Sequence, residues 1–342
     1  MPSAHGVTIF QVSGYTSSTY VLGKETVTVN IINIALLLVG LLALAKGADA
    51  FVEGAGGLAA RLGIPPLVVG LTIVALGTSA PEAAISITSA AHAAEGMAIA
   101  GVFGSNIVNT LVILGITALV VEVPMRRTTM RYEIPFVLIM TAALLVLCVH
   151  DGQLGRIDSM LLLLLFAGYL VYLVRIAKAS AHDSKHEADT PQAPKPLARL
   201  VFLCAIGAIG ICVGARLTVD GATHIAHALG MSDRVVGLTV IAMGTSLPEL
   251  VTSLTAARKG QADIAIGNVV GSSIFNVLLV LGVSGVITPL PFASELLFDG
   301  VVALAAIALL WFVCLRRSKL GRVGGVTLLS GYAIYLGTIL AA

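Results

Sequence analysis

Ten long apolar runs lie along the chain of 342 residues, at about 28–50, 65–91, 98–122, 133–150, 158–178, 198–221, 233–258, 264–288, 293–315 and 323–341. Each is close to the roughly 20 residues a helix needs to cross the hydrocarbon core of a bilayer. Lipid offers the backbone no hydrogen-bond partner, so the runs are predicted to be helices that satisfy their own peptide groups. The pattern predicts an all-α polytopic membrane protein with ten transmembrane helices. Residues 1–27 are polar and contain no Lys or Arg except Lys24, which reads as an exposed arm, since a cleavable signal would open on basic residues. The longest polar connector, 179–197, carries His182, Asp183, Lys185, His186, Glu187, Asp189 and prolines at 191, 194 and 196. It reads as a solvated cytoplasmic linker between two five-helix units, 28–178 and 198–342.

The two units repeat one another. GLTIVALGTSAPE, from Gly70 to Glu82, returns as GLTVIAMGTSLPE, from Gly237 to Glu249, at an offset of 167 residues. The same offset pairs Gly47 with Gly214, Gly63 with Gly230, Gly104 with Gly271, Ser105 with Ser272 and Asn109 with Asn276, with no gap between them. Five helices per unit is an odd number, so the second copy must enter the membrane from the opposite side. Inverted repeats of this kind build secondary transporters, with the substrate site near the midplane where the copies meet. The long period excludes a soluble solenoid, whose units recur every 20–50 residues or so.

Charge gives the orientation. Fifteen of the 20 basic residues fall in loops that share one side if the N-terminus is outside, among them Arg126, Arg127, Arg131, Arg258, Lys259, Arg316, Arg317, Lys319 and Arg322. The positive-inside rule then places both termini outside, in a cell (inner) membrane. Composition agrees: 57% of residues are hydrophobic, 11% are charged and the mean hydropathy is +1.00. A soluble domain carries about a quarter charged residues. A net charge of +2 leaves nothing to hold nucleic acid, and Cys148, Cys204, Cys212 and Cys314 all sit in apolar runs as small hydrophobic residues.

Two of the 18 acidic residues stand where charge is most costly. Glu82 and Glu249 lie deep in the second and seventh runs, with no Lys or Arg at the centre of either run. A carboxylate there needs a partner, and a cation from outside the chain supplies one. The competing reading, a protonated carboxylate bonded inside the bundle, explains one such glutamate more easily than two at matched positions. Around them, Gly77, Pro81, Gly244 and Pro248 predict a break in each helix, with the carbonyls of Thr78 and Thr245 and the hydroxyls of Ser79 and Ser246 beside it. Ser105 and Asn109 are four apart, as are Ser272 and Asn276, so each pair projects from one helical face. They are either interhelical hydrogen-bond groups or ligands, and their recurrence favours ligands. This all-oxygen set suits Ca²⁺ and Na⁺ rather than Zn²⁺ or Cu²⁺, and a dense cage suits them better than Mg²⁺, which keeps its waters.

GTSAPE and GTSLPE, followed by GVFGSNIVN at 101–109 and GNVVGSSIFN at 267–276, resemble the two α-repeats of the sodium/calcium exchanger family. The resemblance covers the chain from about residue 28. It implies ten helices around central cation sites, with Glu82 and Glu249 ligating Ca²⁺ and sharing Na⁺ beside the Thr78 and Thr245 carbonyls. It also implies that Ser79, Ser246, Ser105, Ser272, Asn109 and Asn276 complete the Na⁺ sites, and that spans one and six slide across the rest during transport. Asn276 stands where potassium-dependent exchangers carry Asp, which argues against K⁺ dependence. The expected activity is Na⁺/Ca²⁺ antiport by alternating access, electrogenic in the family. H⁺/Ca²⁺ antiport and K⁺-dependent exchange are the alternatives. No enzyme motif accompanies the glutamates, no cofactor is expected beyond the transported Ca²⁺ and Na⁺, and a monomer in the lipid bilayer is the expected unit.

Overall fold

The computed structural model describes residues 31–91, 97–183, 195–231, 242–315 and 318–341, and every long element among them is helical. The expected N-terminal arm, most of the linker and the stretch Gly237–Ile241 of the second motif lie outside the described residues. In chain order the helices are α1 (Ile31–Leu62), α2 (Pro66–Thr78), α3 (Ala80–Ala91), α4 (Ala98–Val120), α5 (Thr129–Asp151), α6 (Arg156–Asp183), α7 (Leu197–Ala228), α8 (Ala242–Thr245), α9 (Leu247–Arg258), α10 (Ala262–Ile287), α11 (Leu296–Leu315) and α12 (Arg322–Ala341). Among the described residues, eight helices are long and apolar enough to cross a membrane, and a ninth span results if the bent pair α2 and α3 is taken as one. The expected seventh span begins outside the described residues and enters them only as α8 and α9.

The helices divide by burial. Most of α4 and α10 is enclosed by protein, whereas α1, α6, α7, α11 and α12 turn most of their apolar surface outward. Large side chains such as Leu38, Ile139, Leu164, Phe202 and Phe312 are more than half exposed, as they should be on lipid-facing helices. The enclosed pair is the one that carries Ser105, Asn109, Ser272 and Asn276. Short antiparallel pairings bind the helix ends: Val123–Pro124 with Lys319–Leu320, and Gln153–Leu154 with Leu290–Pro291.

Helices α1 and α7 pack against each other in opposite directions. A Cβ at Gly40 would come within 2.5 Å of Thr218, one at Gly47 within 2.7 Å of Ile211, and one at Gly54 within 2.8 Å of Cys204. Positions rising along α1 therefore meet positions falling along α7. The same crowding recurs from the other side at Gly207, Gly214 and Gly221, the residues 167 positions after Gly40, Gly47 and Gly54. Small residues every seven positions bring the two backbones close where no larger side chain fits.

Both helices outrun their expected boundaries. The apolar runs 28–50 and 198–221 become helices of 32 residues, about 48 Å long at 1.5 Å per residue, against a bilayer core of roughly 30 Å. Asp49 lies at the end of the expected run and Glu53 in the extension of α1 beyond it. Ion pairs satisfy them: Lys259 Nζ lies 2.9 Å from Asp49 and Lys195 Nζ 2.6 Å from Glu53. Likewise α5 starts at Thr129 rather than 133, because a π-turn over Thr129–Glu133 carries Arg131 and Glu133 into the helix.

Candidate cation-binding site

Both helix breaks fall at the matched serines. Ser79 separates α2 from α3 and Ser246 separates α8 from α9, with φ/ψ of −82°/1° and −93°/7°. Two residues on, Pro81 and Pro248 have no N–H to give to the Gly77 and Gly244 carbonyls, so neither helix can run through. At the first break the axis turns by 50°. Each break leaves a helix ending at a threonine, Thr78 or Thr245, and another beginning with a glutamate in its first turn, Glu82 or Glu249. The positive end of a helix dipole thus sits beside each carboxylate and offsets part of the cost of burying it. The terminal carbonyls of the preceding helix face the same gap.

The two breaks meet. Ser79 Oγ donates to Glu249 Oε1 at 2.9 Å, although the two residues are 170 apart in sequence. Glu82 stands in the first turn of the helix that follows Ser79, so this contact joins its break to the one that holds Glu249. Glu82 is 8% exposed, Glu249 is fully buried, and among the described residues no lysine or arginine forms an ion pair with either. Both oxygens of Glu82 and Oε2 of Glu249 have no hydrogen-bond partner, nor do the hydroxyls of Ser246 and Ser272, the Asn109 amide or Asn276 Oδ1. Unpaired carboxylates cost several kcal/mol each in such surroundings. Buried oxygens left unpartnered beside such carboxylates are the kind of acceptors that a cation could use.

Among the expected ligands, then, contacts tie Ser79 to Glu249 directly, while Thr78, Asn109, Ser105, Ser246, Ser272 and Asn276 are buried on the helices that surround the pair. Thr245 is half-buried at the second break. Asn109 and Asn276 stand at the start of π-turns at Val108–Ile113 and Asn276–Val280, as second and first residue respectively, and their carbonyls accept from Leu114 and Leu281 five residues on. The two π-turns stand at repeat-related places, and such turns often mark functional sites.

Two asparagines that matching of the repeats passed over also belong here. Thr78 Oγ1 donates to Asn268 Oδ1 at 2.9 Å, and Asn268 Nδ2 donates to Ser253 Oγ at 2.9 Å and to the Glu249 carbonyl at 3.3 Å. Asn268 thereby joins one break to the other. Its repeat mate is Gly101, so a search for matched polar pairs discards it. Asn106 Oδ1 accepts from Asn276 Nδ2 at 3.2 Å, and Asn106 Nδ2 donates to the Ser273 carbonyl at 3.4 Å, linking α4 to α10. Asn106 and Ser273 are themselves 167 apart, a matched polar pair that was available in the sequence.

Fold and site define a multi-pass helical membrane protein whose buried candidate site is lined with oxygen. The chain belongs to the sodium/calcium exchanger family: the family profile described as sodium/calcium exchanger protein matches residues 32–175 and 199–341. It is 38% identical to "Inner membrane protein YrbG" of Escherichia coli over 89% of this chain and 96% of that one. It is 32% identical to "Sodium/calcium exchanger MaX1" of Methanosarcina acetivorans, over 89% and 97% of the two chains. Among solved structures, the sodium-calcium exchanger NCX_Mj soaked with zero Na⁺ and Ca²⁺ superposes with a TM-score of 0.78 at 32% identity, covering 90% of this chain and 99% of that one.

Proposed function

We propose that the protein is a secondary antiporter that exchanges Na⁺ for Ca²⁺ by alternating access, with net charge moved in each cycle. The observation that carries the reading is the pair Glu82 and Glu249, buried across two facing helix breaks with three of their four carboxylate oxygens unpartnered. One Ca²⁺ neutralises the two charges. Several Na⁺ can do the same only by also using the neutral oxygens of Ser79, Ser246, Ser105, Ser272, Asn109 and Asn276 and the Thr78 and Thr245 carbonyls. Without a cation the two carboxylates repel each other in a medium of low dielectric, which disfavours crossing empty and couples the two ions.

Two inverted repeats, 28–178 and 198–342, within a ten-helix bundle are the architecture we assign. The antiparallel contact of α1 with α7, through glycines at repeat-related positions, supports it. Both termini are placed outside. Arg61, Arg126, Lys195 and Lys259, all on the side assigned to the cytoplasm, share contacts with Asp49, Glu53, Asp263 and the Lys195 carbonyl at one end of the bundle.

Flux into proteoliposomes under separately imposed gradients tests the reading. Na⁺-loaded vesicles are expected to take up Ca²⁺ and to stop when the Na⁺ gradient is abolished. Uptake that ignores Na⁺ and follows a pH gradient would make the protein a H⁺/Ca²⁺ antiporter. A requirement for K⁺ on the Ca²⁺ side would overturn the inference drawn from Asn276.

A further inference from the structure

Away from the central site, α5 and α6 enclose a cavity of about 410 Å³ lined by Tyr132, Glu133, Phe136, Leu164, Leu165, Gly168, Tyr169 and Tyr172. Glu133 is only 2% exposed: its Oε1 accepts from the Tyr172 hydroxyl at 3.1 Å, and its Oε2 has no partner. Tyr169, 5% exposed and stacked on Phe136, also has an unpartnered hydroxyl. A further buried carboxylate and a second set of oxygen acceptors therefore stand apart from the paired glutamates, in a cavity whose other walls are apolar and aromatic. At its mouth Leu164 is 69% exposed, so the cavity opens toward lipid. Glu133 is the fifth residue of α5, about 6 Å along the helix from the end that follows the Arg126 and Arg127 loop, which is the depth of a headgroup. Arg131, two residues nearer that helix end, has its guanidinium 5.9 Å from the ring centre of Tyr132, one of the lining residues.

We propose that this cavity binds a membrane phospholipid with a primary ammonium headgroup. The ammonium needs an anionic counter-ion and further acceptors for its N–H donors, which Glu133 and the hydroxyls of Tyr169 and Tyr172 supply. The phosphate needs a cation a few ångströms nearer the water, which Arg131 supplies. An acyl chain lies against Phe136, Leu164 and Leu165. A trimethylammonium headgroup has no N–H to donate, and an anionic headgroup meets Glu133 with like charge, so the site discriminates by headgroup.

Native mass spectrometry of the purified full-length chain, titrated with phosphatidylethanolamine, phosphatidylcholine or phosphatidylglycerol, tests this. Phosphatidylethanolamine is expected to be retained selectively. Glu133→Gln is expected to weaken retention about tenfold, the effect of losing one charge-assisted hydrogen bond. Should that variant fail to fold, Gly168→Leu is the second test. A Cβ at Gly168 meets nothing within 4 Å, so the larger side chain fills the cavity and expels the lipid while Glu133 stays in place. Equal retention of the three lipids by the unaltered protein, or undiminished phosphatidylethanolamine on either folded variant, would overturn the proposal. So would a dimer that forms through this face with no lipid bound.

Discussion

Glu249 is fully buried and accepts from Ser79 at 2.9 Å, whereas Glu82, its counterpart in the first repeat, is 8% exposed and has no partner on either oxygen. Ser246, the counterpart of Ser79, keeps an unpartnered hydroxyl. The chemistry of the two breaks is nearly the same, Thr-Ser-Ala-Pro-Glu against Thr-Ser-Leu-Pro-Glu, so composition does not explain the difference. Two causes are available. One is permanent: Asn268 ties Thr78 to the Glu249 backbone, and Gly101 has no side chain to do the converse. The other is conformational: if access alternates as proposed, the site holds one half tighter than the other in any one state, and the halves exchange roles when access switches. The two causes make different predictions for the same substitutions.

Neutralising either glutamate is expected to have the largest effect, and the same effect. Glu82→Gln and Glu249→Gln keep the shape and remove a charge that a desolvated cation cannot do without. The loss is on the order of 3–5 kcal/mol, or about a hundredfold or more in Ca²⁺ affinity. Exchange should vanish in both. With no cation present, each variant should melt higher than the unaltered protein, because the repulsion between the two carboxylates is gone. Calorimetry or a melting curve in cation-free buffer separates this outcome from simple misfolding. Retained exchange in one variant alone would mean that only one glutamate ligates, and would sink the shared-site reading.

Asn268→Ala comes next. It removes the bridge between the breaks, leaving Ser253 Oγ without its donor, and is expected to cost about 1–3 kcal/mol and about tenfold in Ca²⁺ affinity. Ca²⁺-dependent flux measures it. An unchanged affinity would show that Asn268 contributes nothing beyond packing, and would leave conformation as the cause of the difference between the glutamates.

The contrast between these residues also marks how far the sequence could be read. Glu82, Glu249 and the breaks beside them were legible because carboxylate, glycine and proline stand out in apolar runs and recur at a fixed offset. Asn268 was hidden by that same filter, since the repeat puts glycine in its place. The π-turns at Asn109 and Asn276 leave no trace in composition, because one extra residue in a helical turn changes which carbonyl is accepted without changing residue type. The long ends of α1 and α7 escaped because the expected runs stopped at about 50 and 221, where the unbroken apolar sequence gives way to Glu53 in one and to His224 and His227 in the other. In fact Asp49 and Glu53 continue the helix, with Lys259 and Lys195 as counter-ions donated from elsewhere in the chain.

The smallest effect is the most discriminating. Ser79→Ala removes a hydrogen bond that this conformation contains, and Ser246→Ala removes a hydroxyl that is unpartnered here. If the difference between the half-sites is fixed, Ser79→Ala should cost about 1–2 kcal/mol of Ca²⁺ affinity, near tenfold, and Ser246→Ala close to nothing. If the half-sites exchange roles, each serine bonds the opposite glutamate in one of the two states, and each substitution penalises only that state. Ser79→Ala should then disfavour the conformation described here and Ser246→Ala the other. The two apparent affinities should shift by a few-fold in opposite directions when Ca²⁺ is offered from one side of the membrane. Sided flux on oriented vesicles reads this directly. Equal shifts of the same sign from both sides would show that the serines act as plain ligands and not as markers of state.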